Sequence, residues 1–131
     1  MNRRLSRVVR ERARHRCEYC LLPEAAFPLP FQIDHVLAQK HGEKSIESNL
    51  ALACTHCNAH KGPNIAGVDQ VTGQVVRLFS PRTDVWDEHF QISGPFIKGR
   101  TAAGRVTVAV LALNDADQLL IRSALMREIE A

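Results

Sequence analysis

Four cysteines, the only ones in the chain, stand as two Cys-x-x-Cys pairs: Cys17-Glu18-Tyr19-Cys20 and Cys54-Thr55-His56-Cys57. Two such knuckles supply four thiolates, the set that tetrahedral zinc takes in a closed structural site. Thirty-three residues separate the knuckles, against roughly 15–20 in a minimal zinc ribbon. The ribbon therefore carries an insert, and the insert holds an acidic residue beside a histidine, Asp34-His35. A pair of disulfides is the alternative use of four cysteines, but disulfides belong to oxidising compartments. The basic N-terminus runs into no apolar segment of the secretory type. Zinc-bound thiolates in a cytoplasmic protein are expected.

A chain of 131 residues is most simply one domain. Its core finger is expected at about 15–64 and an extension at about 65–131. At 45% hydrophobic and 24% charged it is an ordinary globular composition. The core it can bury is modest, so a metal staple helps. No apolar run reaches the roughly 18–20 residues of a membrane-spanning helix. The net charge of +3 is mild, but it is unevenly spread: residues 1–16 hold seven Arg against Glu11, or +6, leaving −3 for the rest.

Residues 5–16 read as a helix, with Leu5, Val8, Val9 and Ala13 near helical spacing and Arg on the other faces. Arg3, Arg4, Arg7 and Arg10 either lie along nucleic-acid phosphates or make a solvated face. Pro23, Pro28 and Pro30 make 21–30 a loop. Residues 31–36 alternate as a strand ending near Asp34-His35. Residues 39–48 read as a loop and 49–53 as a short apolar stretch. Residues 55–61 form a short helix stopped by Gly62 and Pro63. Beyond it come a loop over 64–73, a strand over 75–79, a turn plus strand over 84–92 and a returning strand over 96–100. A helix capped by Thr101 follows, then a helix over 116–130 capped by Asn114 or Asp115, with Leu119, Leu120, Ser123 and Ile129 on one face.

The insert is where chemistry is expected. Asp34 and His35 are strand neighbours, so their side chains diverge. If zinc clamps the knuckles together, the helix that carries Asn58 is pinned against that strand. Asp34 and Asn58 then share one hard divalent cation through oxygen, as magnesium prefers. His35 acts as general base on water, and the metal stabilises charge on a phosphate. That is a site for phosphodiester hydrolysis. His56 and His60, four apart on one helix face, are a rival metal pair. Lys61 contacts a phosphate or complements its helix C-terminus.

The pattern Cys17-x-x-Cys20, Asp34-His35-Val36, Asn49-Leu50, Cys54-x-x-Cys57-Asn58-x-x-Lys61-Gly62 resembles the HNH endonuclease family over the first half of the chain. The resemblance implies an α+β fold built on a ββα-metal finger with a structural zinc on four cysteines, here with an N-terminal basic helix and a C-terminal β-hairpin and helices. It implies metal-dependent cleavage of nucleic acid, DNA by preference, with magnesium or manganese at the catalytic site. His35 resembles the general base, Asp34 the first metal ligand, and Asn49 the middle Asn that orients the base and its loop. Asn58 stands where many members carry a final His, making this chain a His-Asn-Asn variant. A nucleic-acid-binding module that has lost cleavage is the alternative, and Asn58 is the feature that favours it. Residues 78–108 resemble an extension found in one bacterial HNH subgroup, with no chemistry assigned.

Overall fold

The structure, a computed structural model, describes residues 2–38 and 45–130, the last two by backbone alone. Most of the expected 39–48 loop, with His41, and the Ile129 side chain lie outside the described residues. The fold is α+β, with helices and small antiparallel sheets. It divides into two compact units, 1–65 with 80–84, and 66–79 with 85–131.

The first unit opens with helix α1, Arg3–Arg12, which starts and ends earlier than the apolar spacing suggests. Asn2 Oδ1 accepts from the Leu5 N–H at 2.7 Å, satisfying a free donor of the first turn. Arg14 and His15, at φ 55° and 56°, are left-handed and end the helix. Val9 is the residue that α1 buries. After the first knuckle, the proline-rich loop contains one 3₁₀ turn, Glu24–Ala26.

Strand β1, Gln32–His35, pairs antiparallel with β2, Leu50–Ala53, with Asp34 opposite Ala51 and His35 opposite Leu50. The four residues of β2 are all buried. Along β1 and its exit, Asp34 and Val36 are buried while Ile33 and His35 are half-buried, so the acidic residue faces inward. Helix α2, Thr55–Lys61, follows β2 directly. Gly62 ends it at φ 50°, a conformation disfavoured for residues with a Cβ. The order β1, β2, α2 is the ββα finger expected from the sequence.

The second unit begins with a hairpin of β3, Ala66–Val68, and β4, Val75–Arg77. Strand β3 falls inside the expected loop, because three residues with a central Gly67 show no usable alternation. Where a turn plus strand is expected there is a single helical turn, α3, Trp86–His89, followed by β5, Phe90–Ser93. Strand β5 pairs with β6, Phe96–Gly99. Helix α4, Ala102–Val110, is capped by Thr101, whose Oγ1 accepts from the Gly104 N–H at 3.0 Å. Gly104 has no alternative, since a Cβ there would meet the His89 carbonyl at 2.0 Å. Helix α5 runs Ala116–Glu130 and is capped by Asp115, whose Oδ1 accepts from the Gln118 N–H. Asn114 instead exchanges two hydrogen bonds with the backbone of Ile97. The expected apolar face of α5 is corrected: Leu120 is exposed, while Gln118 and Arg122 are buried. Arg122 makes up its polarity by donating to Asn114 Oδ1 at 3.0 Å.

Candidate metal centre and cleavage site

The four cysteines are buried, unbridged, and have sulfurs within 4.8 Å of one another. Zinc with sulfur at about 2.3 Å sets tetrahedron edges of about 3.8 Å. Cys20 Sγ and Cys54 Sγ are 3.7 Å apart. Each knuckle is closed locally by an amide pointing at sulfur: Cys20 N–H on Cys17 and Cys57 N–H on Cys54. The thiol of Cys54 is pushed far down because it accepts hydrogen bonds from Cys17, Cys20 and Cys57. The same network pushes the thiols of Cys20 and Cys57 up, so the negative charge concentrates on Cys54. Four buried sulfurs are the donor set of a structural zinc site.

Residues between and beyond the cysteines lock the knuckles to the hairpin. Glu18 N–H donates to the Leu52 carbonyl at 2.8 Å, and Glu18 Oε2 accepts from the Leu52 N–H at 2.8 Å. Glu18 Oε1 pairs with Arg82, which arrives from the 80–84 segment of the same unit. Burial pushes the Glu18 carboxyl up, against the Leu52 amide and the Arg82 and Arg12 guanidiniums. Arg12 donates to the carbonyls of Glu47 and Leu50 and so ties α1 to the start of β2.

Near the cysteine cluster, Asp34 is 5% exposed and Lys61 is 1% exposed. Tyr19, between the first two cysteines, donates its hydroxyl to Asp34 Oδ2 at 2.7 Å. Lys61 Nζ donates to Asp34 Oδ1 at 3.2 Å and to the His35 carbonyl at 3.0 Å. Burial raises the Asp34 carboxyl, against the lowering effects of Lys61 and Tyr19. Burial, then Asp34, pushes the Tyr19 phenol well above its ordinary value, so it stays a donor.

His35 is half-buried and its Nε2 lies 2.8 Å from Ser45 Oγ. Asn49 is buried and holds the β1 exit: Oδ1 accepts from the Leu37 N–H at 2.8 Å and Nδ2 donates to the Leu37 carbonyl at 2.9 Å. Its own carbonyl accepts from the Val36 N–H. Asn58 is half-buried and precedes Lys61 by three residues, so both lie on one face of α2. Since Lys61 reaches Asp34, that face is turned toward β1. His56 and His60 stack with ring centroids 4.2 Å apart.

Two of the residues expected at phosphates are engaged within the protein. Lys61 is not a surface cation but a buried partner of Asp34, because α2 is clamped against β1 with its last turn inward. Arg10 pairs with Glu24 and donates to the Phe31 carbonyl at 2.8 Å, so it holds the proline-rich loop. Arg3, Arg4 and Arg7 are exposed on α1. Sequence reasoning missed Tyr19, Glu18, Arg12, Ser45 and Arg82. Only Glu18 and Tyr19 carry a signal, their place inside a knuckle.

The ββα finger thus closes a four-cysteine cluster and carries an inward carboxylate beside a half-exposed histidine at one strand end. Residues 17–64 match the family model described as HNH endonuclease. No curated protein and no solved structure gives a significant match to the chain. Among the described residues no helix is long and apolar enough to cross a membrane.

Proposed function

We propose that the chain is a metal-dependent endonuclease that hydrolyses phosphodiester bonds in nucleic acid, with DNA as substrate. The observation that carries this reading is the divergence at the end of β1. Asp34 turns inward against α2, while His35, the next residue, is half-exposed with its ring anchored on Ser45. Held against Ser45 Oγ through Nε2, the neutral ring takes the proton from an attacking water on its unprotonated nitrogen. Asn49 fixes the backbone that follows His35 and so sets where the ring stands.

Asp34 and the amide oxygen of Asn58 are the residues that would hold magnesium or manganese. A carboxylate has about four lone-pair sites, and on Asp34 Tyr19 and Lys61 already take one each. The bound ion supplies charge stabilisation at the phosphate and the leaving oxygen. Zinc on Cys17, Cys20, Cys54 and Cys57 holds β1 and α2 in register. Arg3, Arg4 and Arg7 lie along the phosphate backbone, and the protein works in the cytoplasm.

A plasmid nicking assay with and without magnesium or manganese tests the reading. Wild type nicks in the presence of the metal, and His35→Ala loses roughly 10²–10⁴ in rate while keeping nucleic-acid and metal binding. Asp34→Ala weakens divalent-metal binding, and Asn58→Ala does so less. A wild-type protein that binds DNA and leaves it intact under every divalent ion is instead a zinc-stapled binding module. The neutralising Lys61–Asp34 pair is the observation that favours this second reading.

A further inference from the structure

We infer that His56 and His60 form a second metal site, open to solvent, that takes a borderline divalent transition ion through two imidazoles. The site goes beyond the endonuclease reading, which uses neither histidine. They are the only two histidines four apart in the chain, and residues four apart on a helix stand one above the other. Both sit on α2. Their rings stack, with centroids 4.2 Å apart and planes inclined by 36°. One ring nitrogen of each lies within 4.8 Å of a ring nitrogen of the other. An ion at about 2.1 Å from each nitrogen holds the two about 3 Å apart, so the rings close on each other by up to roughly 2 Å as it binds. His60 is exposed and His56 half-buried, so the His60 ring makes that turn without disturbing packed neighbours.

Imidazole nitrogen suits nickel, copper and zinc, whereas magnesium and manganese take oxygen. A ligating imidazole commonly donates its other N–H to a neighbouring group, so a hydrogen bond at one ring nitrogen still leaves the second for the ion. Two protein ligands leave the remaining positions to water. The ion therefore exchanges with solvent, unlike one enclosed by the four buried cysteines. It also bridges one turn of a helix of seven residues, a length too short to hold its form alone. Asn58, two residues from each histidine, stands about 160° around the helix from both. An ion on the histidine pair is thus on the face of α2 away from Asn58, and it is not the ion of the cleavage site.

The test uses zinc-loaded full-length protein without an affinity tag, and nickel chloride as the probe. Equilibrium dialysis with elemental analysis counts the metals, and proton magnetic resonance follows the assigned histidine ring protons. One nickel per chain beyond the zinc is expected, with zinc content unchanged and excess magnesium without effect. Substoichiometric nickel is expected to broaden the ring protons of His56 and His60 ahead of those of His15, His35 and His89. His56→Ala and His60→Ala are each expected to weaken nickel at least tenfold while keeping zinc, and Asn58→Ala to leave nickel affinity unchanged. Absence of nickel uptake, or uptake only in exchange for zinc, overturns the inference. So does broadening that begins at another histidine or spreads evenly over all of them. Nickel lost in Asn58→Ala but kept in His60→Ala puts the ion on the opposite face and overturns it too. Should either histidine variant fail to retain zinc, the wild-type broadening pattern decides. None of these outcomes alters the endonuclease reading, which nicking under magnesium or manganese tests separately.

Discussion

Asn49→Ala probes the joint between scaffold and chemistry. The amide makes two hydrogen bonds to one residue, accepting from Leu37 N–H at 2.8 Å and donating to Leu37 C=O at 2.9 Å. Truncation deletes both and leaves two backbone groups without that partner. A net hydrogen bond is worth about 1 kcal/mol and an orphaned buried group costs about 1–3 kcal/mol. Leu37 is half-buried, so water recovers part of the loss. The expected destabilisation is about 2–4 kcal/mol, which lowers Tm by roughly 10 °C in a chain of this size. Scanning calorimetry on zinc-saturated protein reads the stability, and hydrogen exchange at the Leu37 amide reads the local effect. Protection at Leu37 is expected to collapse, and nicking to fall because the backbone after His35 is no longer held. A Tm within about 2 °C of wild type, with Leu37 still protected, would refute the role given to Asn49.

Purified protein is expected to carry one zinc per chain, and strong chelation to unfold the finger, since site formation and folding are coupled; elemental analysis and circular dichroism check both. Glu24 has its carboxyl lowered: burial would raise it, but the Phe31 amide, His15 and Arg10 outweigh that. Its contribution to stability is therefore fully present above the unfolded glutamate value of about 4.3 and is lost as pH falls through the lower folded value. Glu24→Gln is expected to flatten acid unfolding below that pH while lowering Tm at neutral pH. Replacing Arg3, Arg4 and Arg7 with Ala is expected to lower the log–log salt slope of duplex binding by about 0.9 per lost phosphate contact, with zinc content unchanged; an unaltered slope returns α1 to a solvated face.

Elements with a local cause were legible in the residues. Helix α2 ends where Gly62 takes a positive φ, and Thr101 caps α4, because both signals act within four residues. Strand β1 followed from alternation, and the pairing of β5 with β6 from a strand expected to return over 96–100. Boundaries slipped where the determinant was conformational: Arg14 and His15 stop α1 through left-handed backbone that no composition rule marks. Strand β3 escaped because three residues carry too short a pattern.

The sequence by itself brought the four thiols to one place. Two knuckles at fixed spacing leave four thiolates little else to do, and they converge as read. It also placed Asp34 and His35 side by side on a strand, which is enough to make them diverge. Tertiary structure decided what each polar residue faces. Lys61 reads as a surface cation, yet it is buried on a carboxylate 27 positions earlier in the chain. Arg82 reads as part of the extension, yet it pairs with Glu18 across 64 positions. Periodicity reports which side of an element is apolar, through contacts a few residues apart. It does not report which buried charge meets which. That choice depends on how β1, β2 and α2 close on one another, and on the rule that a charge taken out of water must find its partner there.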